Sequence, residues 1–177
     1  MHQDIEKVLI DAEIIQKRLD VLAGMVKADF EGKPMVVVAL LKGAVLFTAD
    51  LLRRVPLPME MEFLNVASYH GGTESTGVVS FLDQCLPDVR GKSVLLLDDI
   101  LDTGRTLEAV MEKLAGQGAS EVKTCVLLAK DIEREVVAEA DYTGFVIGDE
   151  FVVGYGLDYR GHYRNLPYVG ILKESAI

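Results

Sequence analysis

The chain of 177 residues has no tryptophan, three histidines, five prolines and two cysteines. Each shortage closes a class of explanation. Cys85 and Cys125 lack CxxC spacing and are too few to staple a domain, so they read as buried or idle thiols of a cytoplasmic protein. His2, His70 and His162 are scattered, with no zinc-ligand spacing. No apolar run is long enough to span a membrane, and residues 1–30 form an acid-containing amphipathic segment unlike a signal peptide. Positive charge is short as well: 18 Lys and Arg stand against 28 Asp and Glu, a formal net charge of −10. A nucleic-acid binder or a protein of anionic membrane surfaces would carry the opposite balance. An anionic small substrate would need placed cations or a metal.

Hydrophobic residues make up 50% of the chain, and the charged 26% are dispersed. That composition predicts one folded domain over residues 1–177 with a sizeable core. Ile5, Leu9, Ala12, Ile15, Leu19, Leu22 and Val26 recur at three- and four-residue steps, predicting an amphipathic helix over 4–28. Met35–Leu41 is a continuous apolar run, the mark of a strand buried on both faces. A helical pattern follows to about Arg54, then Met59–Tyr69 alternates like a half-buried strand. Residues 70–77 form a polar, glycine-bearing connection, and Val78–Leu82 returns as a strand. Val94–Leu97 predicts another buried strand, residues 104–117 a helix, and Val122–Ala129 a strand. Shorter strands follow at Phe145–Ile147, Phe151–Tyr155 and Tyr168–Leu172. The order implies an α/β protein with a central, mostly parallel sheet, an antiparallel excursion over 59–82 and an appendage over 140–177.

The richest segment is VLLLDDILDTGRTL, residues 94–107. Its strand enters a turn carrying Asp98, Asp99 and Asp102, and such turns lie at the carboxyl edge of a parallel sheet, where α/β proteins bind ligands. Thr103, Gly104, Arg105 and Thr106 open a helix with backbone N–H groups, two hydroxyls and a guanidinium, a setting suited to a phosphate monoester. Neither GxxxxGK[ST] nor GxGxxG is present, so this is not a P-loop or a dinucleotide fingerprint. The acids would repel the phosphate unless they face something else. Asp98 and Asp99 fit vicinal hydroxyls or a magnesium ion held through water. The segment therefore reads as a phosphorylated-sugar site. The plainer reading, a helix start with acids favoured by its dipole, accounts for one acid more readily than for three.

The same segment resembles the phosphoribosyl-pyrophosphate motif of type I phosphoribosyltransferases, and the resemblance extends over nearly the whole chain. It narrows to the hypoxanthine-guanine phosphoribosyltransferase family. Leu41-Lys42-Gly43-Ala44 resembles that family's pyrophosphate loop, in which the peptide before the lysine is often cis. Ser68 and Tyr69, followed by 70–77, resemble the start of its mobile lid. Leu128-Ala129-Lys130 and the segment Phe151–Tyr159, with Arg164 beyond, resemble its purine-binding hood. Two departures stand out. Many members carry Glu-Asp where this chain has Asp98-Asp99, and Arg105 occupies a position the family fills variously.

The resemblance implies a type I phosphoribosyltransferase fold whose hood is built from the N-terminal segment and about residues 140–177. It implies transfer of phosphoribose from 5-phosphoribosyl-1-pyrophosphate to a 6-oxopurine, with Mg2+ as cofactor and no nucleic acid or membrane as partner. Lys42, Gly43, Asp98, Asp99, Asp102, Thr103, Gly104, Arg105, Thr106 and Arg164 would hold the sugar pyrophosphate. Lys130, Phe151, Val152 and Asp158 would hold the purine, and Asp98, Asp99 and Asp158 the metal. Asp102, between sugar and base, would be the general base. The family is commonly dimeric or tetrameric, so a homodimer or homotetramer is expected. Two other readings stay open: a phosphoribosyltransferase-like RNA-binding regulator, which the charge opposes, and a phosphoacceptor receiver domain, whose acid pair would lie nearer the amino terminus.

Overall fold

The computed structural model describes residues 2–68, 79–82, 86–133 and 139–176. Within them the chain forms β1 (Ile5–Ile10), α1 (Ala12–Phe30), β2 (Met35–Leu41), α2 (Val45–Leu52), β3 (Glu60–Ser68) and β4 (Val79–Phe81). There follow β5 (Ser93–Leu101), α3 (Arg105–Gly116), β6 (Glu121–Lys130), β7 (Tyr142–Ile147), β8 (Val152–Val153) and β9 (Val169–Leu172). Six strands make the large sheet in the order β4-β3-β2-β5-β6-β7, and three make a small sheet in the order β1-β9-β8.

In the large sheet β3, β2, β5, β6 and β7 are parallel, and β4 alone runs antiparallel, against β3. The antiparallel excursion expected over 59–82 is thus confined to its second strand. The central strands carry apolar residues on both faces because helices cover both. Val37, Ala39, Leu95, Leu97 and Leu127 pack with α1 and α2, while Val36, Val38, Val94, Leu96 and Val126 pack with α3. Each fully buried leucine or valine of this kind contributes about 1.5–3 kcal/mol.

The long amino-terminal helix expected over 4–28 divides into a strand and a helix. Ile5–Ile10 leaves the helical path and pairs antiparallel with β9, Ile5 opposite Leu172 and Ile10 opposite Val169. Asp11 then stands at the start of α1, which buries Ile15, Leu19, Leu22, Ala23, Val26 and Phe30. The apolar spacing of residues 5–9 fits either element, and the strand is chosen by a partner at the far end of the chain. β5 also runs beyond the expected Leu97, through Leu101, so that Asp98 and Asp99 belong to the strand itself. At the other end, β7 belongs to the large sheet, and the small sheet draws on β8 and β9 rather than on everything from 140.

Candidate active site

From β2 the chain crosses by α2 to β3 on one side, whereas β5, β6 and β7 extend on the other. The order of strands therefore reverses between β2 and β5, and ligands of open α/β sheets bind outside the carboxyl ends at such a point. A cavity of about 310 Å³ lies there. Lys42 and Gly43 at the end of β2, Asp98, Asp99 and Asp102 at the end of β5, and Thr103, Gly104 and Thr106 at the start of α3 line it. Asp158 and Arg164 close it from the segment between β8 and β9. The peptide joining Leu41 and Lys42 is cis. Gly104 takes the left-handed conformation, φ 84°, at the N-cap of α3, where no side chain caps the helix. A helix start of this kind presents backbone N–H groups to an anion.

The acid pair forms the cavity wall. Asp98 accepts the N–H of Asp99 at 2.9 Å, and Asp99 accepts the N–H of Ile100 at 2.8 Å. Burial pushes the Asp98 carboxyl well above the usual carboxylate range, and the neighbouring Asp99 charge adds to it. Burial raises Asp99 as well, although hydrogen bonds from Asp98 and Ile100 and the nearby Arg164 charge oppose it. Two such acids side by side hold a proton readily and would release it to an arriving cation.

Gly43 and Gly156 bring separate segments together at this wall. A Cβ on Gly43 would lie 1.5 Å from Asp99 Oδ2, and one on Gly156 would lie 2.0 Å from the Gly43 carbonyl oxygen. Only the absence of a side chain permits either approach. Arg164 donates through Nη1 to the Gly156 carbonyl and through Nη2 to Asp158 Oδ1, both at 2.6 Å.

A second cavity of about 220 Å³ adjoins the first and shares Asp99, Asp102 and Asp158 with it. Lys130, Glu150, Phe151 and Val152 also line it, with Ile100 and Leu157. Lys130 ends β6, as the run of buried residues before it requires, and its side chain is 13% exposed. Its ammonium lies 3.0 Å from Asp149 Oδ1 and 3.5 Å from Asp102 Oδ2. Burial alone would lower the Lys130 pKa, yet hydrogen bonding to Asp149 and the charges of both acids hold it above the ordinary value. Phe151, which could have been a core aromatic, is instead 48% exposed at the cavity with Tyr159 edge-on at 5.6 Å.

Most of the residues singled out in the sequence thus meet at the two cavities. Arg105 is the exception in the turn: it begins α3 but lines neither. Ser68 ends β3, while Tyr69 and the expected lid 70–77 lie outside the described residues. Asp98, Asp99 and Asp158 do not form a three-carboxylate cage. Among the described residues no three His, Cys, Asp or Glu side chains are grouped to hold a metal. Asp158 lines both cavities while it is paired with Arg164 and accepts the Gly161 N–H at 2.6 Å. The carboxylates present still suit a hard divalent cation, provided a bound anion supplies further oxygens. Sequence reasoning missed Glu150 as a lining residue and Asp149 as the partner of Lys130. Their neighbour Phe151 was the available signal.

Comparison with known proteins agrees with this arrangement. The model of the phosphoribosyl transferase domain matches residues 9–160. The hypoxanthine-guanine phosphoribosyltransferase of Staphylococcus epidermidis is 44% identical over 175 residues, 99% of this chain and 98% of that protein. The bifunctional protein TilS/HprT of Listeria innocua is 47% identical over 99% of this chain, which spans only 27% of that protein's length. A crystal structure of a hypoxanthine phosphoribosyltransferase from Staphylococcus aureus superposes with a TM-score of 0.94 at 44% identity, covering 99% of this chain and 96% of the other. With the motifs, the sheet order and the paired cavities in agreement, the chain belongs to the phosphoribosyl transferase domain family, within its hypoxanthine-guanine phosphoribosyltransferases.

Proposed function

We propose that this protein transfers 5-phosphoribose from 5-phosphoribosyl-1-pyrophosphate to hypoxanthine or guanine, a purine-salvage reaction that gives the nucleoside 5′-monophosphate and pyrophosphate. The observation that carries this reading is the pair of cavities joined at Asp102: one is lined by the open start of α3 and an acid pair, the other by a strand-end lysine and an exposed aromatic. The first suits a phosphorylated sugar and the second a planar base.

In this reading the turn Thr103–Thr106 holds the 5′-phosphate, with Arg105 contributing through its backbone. Asp98 and Asp99 accept from the ribose hydroxyls. Lys42, the Gly43 backbone and Arg164 offset the pyrophosphate charge. The bond from the ribose anomeric carbon to pyrophosphate breaks as a purine ring nitrogen bonds to that carbon, and Asp102 accepts the ring proton. Lys130 donates to O6, Phe151 stacks on the ring, and the Val152 backbone meets the base edge. Ser68 and Tyr69 begin a lid. Asp98, Asp99 and Asp158 would hold Mg2+, which would supply positive charge to neutralise the leaving pyrophosphate. The small sheet serves as a hood over this site.

No helix among the described residues is long and apolar enough to cross a membrane. Salvage of a free base with a water-soluble sugar pyrophosphate suits work in the cytoplasm. Met61 and Phe63, 52% and 41% exposed on one face of β3, favour a homodimer or homotetramer. The comparisons lend no support to an RNA-binding role. The test is a spectrophotometric assay of hypoxanthine, guanine, xanthine and adenine, each with phosphoribosyl pyrophosphate and Mg2+. Turnover of the 6-oxopurines but not adenine supports the proposal, and absence of product with every base overturns it.

A further inference from the structure

Tyr155 is held at φ 50°, in the left-handed region, between Gly154 at φ 99° and Gly156 at φ 108°. A tyrosine there is disfavoured and persists only where its surroundings impose it. The residue is 4% exposed, and its hydroxyl donates to Asp50 Oδ2 on α2 at 2.7 Å. Burial alone would raise the Asp50 carboxyl, yet hydrogen bonds from Tyr155, Arg53 and Gln16 hold it below the usual carboxylate range. The carboxylate is thus an ionised, multiply bonded anchor. Arg54 in turn fixes Gln16 and Asp20 on α1, so the anchor is part of the helical layer beside β2.

What hangs on this anchor is the wall of the larger cavity. The N–H of Tyr155 is donated to Leu166 and that of Gly156 to Arg164. Gly156 rests on the Gly43 carbonyl, and its own carbonyl orients Arg164, which holds Asp158. We infer that the Tyr155–Asp50 hydrogen bond is a positioning device for the pyrophosphate half of the site. It fixes the segment 154–164 against the Gly43 loop so that Arg164 and Asp158 face the sugar pyrophosphate. This inference rests on the transferase function proposed above. Neither residue lines the cavities, and both act through Gly156 and Arg164.

The molecule supplies its own control. Tyr142 also donates its hydroxyl to a carboxylate, Asp29, but at the amino edge of the sheet, near Lys123. Tyr142→Phe therefore removes a comparable bond far from the site. The experiment compares Tyr155→Phe, Asp50→Ala, their double variant and Tyr142→Phe with the wild type by melting temperature and by KM for each substrate. Wild-type turnover, measured first, decides the transferase function by itself. Tyr155→Phe is expected to raise KM for phosphoribosyl pyrophosphate about five- to tenfold while the purine KM moves less than about twofold, within the range of coupled pairs. The double variant should be no worse than about twofold beyond the weaker single variant, because both remove one tie. Tyr142→Phe should lower the melting temperature and leave both KM values in place. If Asp50→Ala does not fold, Asp50→Asn with Tyr155→Phe completes the same comparison. A rise of equal size in both KM values, or the same rise in Tyr142→Phe, would reduce the tie to general stability and overturn the inference.

Discussion

Gly43 and Asp99 are packed so closely that a Cβ on the glycine would lie 1.5 Å from the aspartate's Oδ2 and 2.4 Å from its carboxyl carbon. The end of β2 and the end of β5 therefore share one space at the sheet's reversal point. Gly43→Ala must turn the Asp99 carboxylate away or lift the loop that carries Lys42. Displacements near 1 Å lower turnover by about 100-fold. Gly43→Ala should lose that much turnover while unfolding at nearly the wild-type temperature. A fully active Gly43→Ala would show that this contact does not matter to the reaction.

The acid pair should set stability against function. Asp98 has its carboxyl pKa raised by burial and by Asp99, so the folded state holds a proton that the unfolded state releases. The sign follows: this contribution is fully present below the unfolded carboxylate pKa and is lost as pH rises through the folded value. Asp98→Asn removes the loss at high pH. It should melt above wild type at pH 8, by about 2–4 °C for each kcal/mol gained, with the advantage shrinking toward pH 4. Turnover should fall in the same protein. Thermal melts at several pH values check this; an advantage that grows toward acid would contradict the shift.

Lys130, with its ammonium between Asp102 and Asp149, should set the choice of purine. An ammonium can only donate, and O6 of hypoxanthine or guanine accepts, whereas adenine presents an amino group there. The hydrogen bond from this charged donor to O6, which adenine's amino group cannot accept, is worth about 2–3 kcal/mol, a selectivity of roughly 30–150-fold. Lys130→Met should weaken use of hypoxanthine and guanine and narrow their margin over adenine. An unaltered preference in kcat/KM would move recognition elsewhere, most directly to the backbone of Val152.

The features that were legible in the sequence are local ones. Met35–Leu41 and the strand entering Asp98 read as buried strands because every residue is apolar, and the acid pair and the Thr103–Thr106 turn identify themselves by type and spacing. Lys130 could be placed because a buried run of residues points it at the carboxyl edge. The features that were not legible depend on partners far along the chain. Ile5–Ile10 has helical spacing and becomes a strand only because β9 offers an edge. The pairing of Asp158 with Arg164 and with the Gly161 N–H is likewise set by how the segment folds, not by residue type. The meeting of Gly156 with Gly43, and of Tyr155 with Asp50, joins segments distant in the chain. No periodicity records such a contact.

Asp102 lines both cavities and lies 3.5 Å from the Lys130 ammonium, which puts it where sugar and base would meet. The most direct measurement follows nucleoside monophosphate formation from hypoxanthine, phosphoribosyl pyrophosphate and Mg2+ by wild type and Asp102→Asn, with phosphoribosyl pyrophosphate binding measured alongside. An asparagine keeps the shape and the hydrogen-bonding oxygen but cannot take the purine proton. The expected result is product from the wild type, binding retained in Asp102→Asn, and turnover lower by about 100-fold or more, the scale of proton-transfer catalysis. Turnover in Asp102→Asn within about threefold of wild type would contradict the role of Asp102 as general base.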